Sequence, residues 1–122
     1  MEDINKTIQI GVVKEEPRIK FIPKLDAHLI EFNLTVRIKD QAIHDASSRE
    51  VDFPIIVRNP RLALYLKDTL QAGARLYLEG QLIPTPLPLK KGQPAFRIEA
   101  REVVLIDKPQ RHPYPDGIKK IR

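Results

Sequence analysis

Residues Ile30–Lys39 read Ile-Glu-Phe-Asn-Leu-Thr-Val-Arg-Ile-Lys, apolar and polar side chains in strict alternation. A period of two places Ile30, Phe32, Leu34, Val36 and Ile38 on one face of an extended strand. Glu31, Asn33, Thr35, Arg37 and Lys39 take the other. The segments on either side carry the same signal. Upstream, Ile8, Ile10 and Val12 are expected to form the apolar face of a first strand, with Gln9 and Gly11 opposite. Glu15-Glu16-Pro17 bends the chain, and Arg18–Ile22 resumes extended structure. Downstream, Asp40–Ser48 mixes small and polar residues as an exposed loop does. Val51, Phe53, Ile55 and Val57 then mark a third strand, whose Pro54 demands an edge, a bulge or a position outside the hydrogen-bonded ladder.

One helix is legible. Asn59 can cap it and Pro60 suits its first position, while Leu62, Ala63, Leu66 and Leu70 make a short apolar stripe through Gln71 before Gly73 stops it. A fourth strand follows, with Leu76, Leu78, Gly80 and Leu82 in phase and Tyr77 pointing off that face. Residues 84–94 contain four prolines and read as a long hairpin loop carrying Lys90 and Lys91. A fifth strand, Ala95–Ile106, has Phe96, Ile98 and Ala100 in phase, and loses its phase near Val103–Ile106 as a bulge would make it do. Phe32, Phe53 and Phe96 share the apolar phases of their strands and are expected in the core. Five strands with a helix between the third and fourth outline an all-β OB-fold, a small Greek-key barrel.

Composition narrows the function. The chain has 122 residues, room for one domain, and no cysteine, which excludes disulfides, thiolate metal sites and cysteine nucleophiles. No apolar run approaches the ~20 residues of a membrane helix, and the acidic, polar start lacks a signal-peptide pattern, so no membrane role and a cytoplasmic location are expected. His28, His44 and His112 are widely spaced and no H-E-x-x-H or phosphate-binding glycine loop occurs, so neither metal, cofactor nor enzyme activity is expected. Net charge is +5. Residues 108–122 hold five basic side chains and one acidic, a net of +4, which leaves only +1 for residues 1–107. The reading is therefore a barrel domain over 1–107 and a basic, proline-rich flexible tail over 108–122. Any cationic patch on the body must come from how charges are sorted over its faces.

These residues resemble the bacterial single-stranded DNA-binding protein (SSB) family and its relative, primosomal replication protein N. Asn5-Lys6 before Ile8-Gln9-Ile10-Gly11 is similar to the family's opening motif, and Pro17–Phe21 to the segment that follows it. Gly73-Ala74-Arg75-Leu76-Tyr77-Leu78-Glu79-Gly80-Gln81-Leu82 is the strongest match. Phe53–Val57 and Arg101–Asp107 look more like the primosomal relative. The resemblance implies an OB-fold that binds single-stranded DNA without sequence preference in replication, recombination or repair, as a homodimer or homotetramer. It also implies bases stacked on aromatic rings and an acidic C-terminal tip. This chain departs on both points: it has no tryptophan, has Val51 and Leu87 where stacking residues are expected, and ends in a basic sequence. Stacking is worth about 1–3 kcal/mol per base, so binding must lean on charge.

The expected cationic track runs through Arg37 and Lys39 at the end of the second strand, Arg49 and Arg58 bracketing the third, Lys90 and Lys91 on the hairpin loop, and Arg97 beyond it, with Tyr77 as an outward aromatic. The competing expectation is that carboxylates neutralise them, Arg37 with Glu31 or Asp52 across strands and Arg97 with Glu99 or a neighbour. Arg18 and Lys20 are discounted because Glu15 and Glu16 lie close. The alternative function is a protein-interaction module that docks on a helicase, primase or other replication protein and binds DNA weakly. Self-association is expected from open sheet edges and from Ile56 and Ile83, which fall out of phase and should face water.

Overall fold

The computed structural model describes residues 2–39 and 48–108. Along the chain these form β1 (Thr7–Val13), β2 (Arg18–Ile22), a 3-10 turn (Pro23–Leu25), β3 (Ala27–Lys39), β4 (Ser48–Val57), α1 (Pro60–Thr69), β5 (Arg75–Pro84) and β6 (Phe96–Asp107). The strands make one sheet in the order β1-β5-β6-β4-β3-β2, and β1 also pairs with β3. Hydrogen bonding therefore leads from β1 through β5, β6, β4 and β3 back to β1. All pairings are antiparallel except β4 with β6, which run parallel and meet at Ile55↔Ile98 and Ile56↔Glu99.

Six strands stand where alternation marked five. The additional one, β2, forms a hairpin with the start of β3 from Arg18↔Glu31 to Ile22↔Ala27. It has no buried residue to betray it as a strand. Pro54 sits opposite Asn33. The Asn33 carbonyl accepts from Lys14 N–H at 2.9 Å and its N–H donates to Glu15 Oε1 at 3.3 Å. Both Asn33 groups thus point toward the β1 side, and the missing N–H of Pro54 costs that rung nothing.

Helix α1 starts where its residues dictate: Asn59 Oδ1 accepts from Arg61 N–H at 3.0 Å and Leu62 N–H at 3.2 Å, with Pro60 in the first turn. It ends at Thr69, short of Gln71, because Leu70 takes extended dihedrals and is buried in the core. Gly73, at φ 89°, turns the chain, and its N–H donates to Val13 O at 2.8 Å. Ala63, Leu66 and Leu70 plug a core of Ile30, Phe32, Leu34, Val57, Leu76, Leu78 and Ile98. Complete burial of Phe32 contributes roughly 1.5–3 kcal/mol.

Strand β1 shows the opposite face to the one expected. Ile8 and Ile10 are each 51% exposed, and Gly11 and Val13 point inward. Alternation supplies two faces without saying which is inner, and Gly11 decides. A Cβ on it would lie 2.4 Å from Thr35 O, so only glycine fits where β1 crosses β3, and its phase takes the inner side. Leu82 and Phe96 also leave the core: they are 45% and 53% exposed, because β5 and β6 outrun the rest of the sheet at that end. Ile56 moves the other way, to 3% exposed, since it lies in the interior of the sheet between Glu31 of β3 and Glu99 of β6. It cannot contribute to self-association, and Ile83 is half-buried. The loss of phase in β6 corresponds to two register shifts against β5, at Arg75/Leu76 and Glu79/Gly80.

Candidate nucleic-acid interface

The outward row of β3 continues across the sheet in register: Glu31, then Ile56 on β4, Glu99 on β6 and Gln81 on β5. Two carboxylates thus flank an isoleucine in the middle of the outer face. Each holds two cations. Glu31 takes Lys20 on Oε1 and Arg97 on Oε2, both at 3.4 Å. Glu99 takes Arg58 at 2.8 Å and Arg101 at 3.8 Å, and also accepts from Gln81 Nε2 at 3.0 Å. The hydrogen bond from Arg58 holds the Glu99 carboxyl below its usual range despite burial, and Glu99 in turn pushes the Arg58 guanidinium up. Arg18, opposite Glu31, adds a fifth cation. Positive charge on this flank exceeds negative, and it is held in place rather than scattered.

Arg58 and Arg97 both lie on this flank, each held by a carboxylate as the competing expectation has it for Arg97, whose partner is Glu31 rather than Glu99. Glu15 and Glu16, the acids that discounted Arg18 and Lys20, are used elsewhere, and Lys20 pairs with Glu31 instead. Glu15 receives the N–H and the side-chain amide of Asn33, and Glu16 receives Ala72 N–H at 3.1 Å. Arg101 was legible in the alternation Arg97-Glu99-Arg101 but was passed over. Lys90 and Lys91 stand exposed on the β5–β6 loop, without an ion-pair partner among the described residues. Their turn closes through Gln93 N–H to Lys90 O at 2.9 Å and Lys90 N–H to Gln93 Oε1 at 3.0 Å. The same loop brings Gln93 and Pro94 against Arg97 and Arg18 around a cavity of about 220 Å³.

The other sequence-derived residues lie apart. Arg37 pairs with Glu50 at 3.4 Å, directly across from it on β4, rather than with Glu31 or Asp52. It borders a groove of about 590 Å³ with Lys14, Arg75, Thr35 and Ile10. Lys14 is bound to Asp52 there, which raises the amine and lowers the carboxyl, so two of the three cations at this groove are paired with acids. Lys39 and Arg49 are exposed at the far tip of the β3–β4 pair. The loop between them, with His44, lies outside the described residues, as does the tail from residue 109. Tyr77 lies on the outer side of β5, four residues before Gln81. It lies between Ile10 of β1 and Val104 of β6, and desolvation together with its hydrogen bond to Glu79 at 3.1 Å raises its hydroxyl. Three aromatics are exposed among the described residues: Phe96, expected in the core, next to Arg97; Phe21, which meets His28 edge-on at 5.2 Å; and Tyr65 on α1. Val51 is half-buried and Leu87 exposed, and neither supplies a ring. Among the described residues no cluster of His, Asp and Glu could hold a metal, and no helix is long and apolar enough to cross a membrane.

No protein-family model and no curated protein sequence matches the chain. Solved structures do. The SSB of Plasmodium falciparum, solved in complex with ssDNA, superposes with a TM-score of 0.75 at 19% identity, over 88% of this chain and 98% of that one. A small single-stranded DNA-binding protein from Streptomyces coelicolor gives 0.67 at 17% identity, over 87% and 94%. The mitochondrial single-stranded DNA-binding protein of S. cerevisiae gives 0.59 at 15%, over 88% and 99%. Superposed over nearly the whole length of such proteins, this chain has the OB-fold of the single-stranded DNA-binding proteins.

Proposed function

We propose that the chain binds single-stranded DNA without requiring a particular sequence, as a non-catalytic SSB-like module of replication, recombination or repair. The observation that carries this reading is the outer flank of β3, β4 and β6, where Lys20, Arg97, Arg58 and Arg101 surround only two carboxylates. Each cation that meets a phosphate releases condensed counterions, which is the main source of sequence-independent affinity. Guanidinium groups held by carboxylates lose little entropy on binding. They can also stack beneath bases, which suits a chain without tryptophan. Phe96 and the lysines of the β5–β6 loop extend the track. The returning pairing of β1 with β3 supports a closed barrel over residues 1–107, and the basic residues of 108–122 would add phosphate contacts. The measurement is fluorescence anisotropy of a labelled oligo-dT. Binding is expected at about 50 mM salt and should weaken steeply toward about 200 mM. No binding at the lower salt, or equal affinity for a duplex, rejects the reading.

Self-association belongs to the same proposal, on a different face from the one expected. Ile8, Ile10, Val104 and Ile106 are all exposed on the outer side of β1 and β6. Strand β1 pairs with β3 only at Val12 and Val13, leaving the edge from Thr7 to Ile10 without a described neighbour on that side. An apolar face beside an open edge suits a second copy of the chain. Sedimentation at micromolar concentration should give at least twice the 14.0 kDa chain mass. Ile10→Lys should return it to the monomer, and a wild-type mass near that of one chain overturns the proposal.

A further inference from the structure

The cavity of about 220 Å³ beside the arginine flank is lined by Arg18, Glu31, Asn33, Pro54, Gln93 and Arg97, among others. It is smaller than the roughly 300–1,000 Å³ of a drug-sized site, so it suits one ring system rather than a whole nucleotide. Its chemistry is unsatisfied. Arg97 Nε is buried without a hydrogen-bond partner, the one such side-chain atom among the described residues. The contacts of Glu31 to Lys20 and Arg97 are both 3.4 Å, long beside the roughly 2.7–2.9 Å of a good charge-assisted bond. A carboxylate accepts through two oxygens and about four lone-pair positions, so Glu31 has capacity to spare. The pocket therefore sets the Arg97 guanidinium beside the Glu31 carboxylate, with Pro54 among the lining residues.

We propose that this pocket takes one unstacked base of the bound strand and prefers guanine, whose N1–H and N2 amino group can face the two oxygens of Glu31 while its O6 accepts from Arg97. Guanine alone among the four bases has two adjacent donors on that edge. Thymine has a ring N–H without an amino group, and adenine and cytosine have an amino group without a ring N–H. The inference rests on the strand-binding reading and adds to it a selectivity that backbone contacts do not supply.

The test compares oligo-dT of about 20 residues with the same strand carrying one central dG, dA, dC or deoxyinosine. A well-made bidentate contact predicts that the dG strand binds roughly 5- to 100-fold tighter than dT. Deoxyinosine, which lacks the N2 amino group, should fall between them, and dA and dC should match dT. Glu31→Gln should abolish the dG advantage while tightening dT binding several-fold, because a carboxylate leaves the cationic flank. Equal affinity of dG, deoxyinosine and dT strands overturns the pocket and leaves strand binding standing. A dG advantage that survives Glu31→Gln also overturns it. Failure of oligo-dT itself to bind removes the parent reading instead. The deoxyinosine arm needs no variant and decides the matter even if Glu31→Gln does not fold.

Discussion

Lys20→Gln/Arg101→Gln is expected to weaken oligo-dT binding about 10- to 100-fold at about 50 mM salt and to flatten the log–log salt dependence by about 1.4, some 0.7 for each lost contact with a single strand. Both side chains are more than half exposed and make long contacts to their carboxylates, 3.4 Å for Lys20 and 3.8 Å for Arg101. Removing them leaves Arg97 on Glu31 and Arg58 on Glu99, so neither carboxylate is stranded. The melting temperature should hardly move, since exposed pairs contribute at most about 1 kcal/mol. Arg37→Gln provides the comparison. Its cation is paired across the strands with Glu50, away from the β3–β4–β6 flank, and its loss should change affinity less than about threefold, as expected for a single screened surface pair. Anisotropy titrations at several salt concentrations read both quantities. If Arg37→Gln does the damage and the double variant does none, the strand lies at the groove by β1 and not on the β3–β4–β6 flank.

Gly80→Ala should be among the most destabilising small substitutions in the chain. A Cβ on Gly80 would sit 2.2 Å from the carbonyl oxygen of Glu99 and 2.9 Å from its carbon, both backbone atoms of the adjoining strand. No rotamer relieves that clash, and β5 and β6 would have to part beside the register shift at Glu79/Gly80. Overpacking of this kind costs about 3 kcal/mol or more, which for a domain of this size lowers Tm by roughly 10–20 °C. Because Glu99 anchors Arg58 and Arg101, oligo-dT affinity should fall with it. Gly92→Ala separates space from backbone strain. Nothing lies within 4 Å of a Cβ there, and only the positive φ of 78° is unfavourable, so the cost should be about 1–2 kcal/mol. Thermal melts followed by circular dichroism distinguish the two, and a Gly80→Ala melt within a few degrees of wild type would show that the strands are not so closely set.

Legibility differed from element to element for physical reasons. Strand β3 could be read over Ile30–Lys39 because one face is buried and the other wet, so alternation reports burial directly. The helix start could be read at Asn59-Pro60 because capping is local chemistry between neighbours in the chain. Strand β1 misled because Ile8, Ile10 and Val12 are more apolar than Gln9 and Gly11, yet close approach to Thr35 admits only glycine. Strand β2 could be read as extended over Arg18–Ile22 but not counted as a strand of the fold, because a segment without a buried residue leaves no hydrophobic period. In the candidate site, Arg58, Arg97, Lys90 and Lys91 were identified from charge and position alone. Their partners were not: Arg37 took Glu50, and Arg97 took Glu31, a residue 66 positions away in sequence.

Alternation, caps and proline placement were sufficient by themselves to specify an all-β chain with one helix, because each acts within a few residues. Which face of β1 turns inward, which isoleucines are wet, and that two carboxylates gather four cations on one flank were decided only in three dimensions. The parallel pairing of β4 with β6 brings Glu99 into line with Ile56 and Glu31. Such a juxtaposition depends on register between segments distant in sequence, and local propensity carries no information about it.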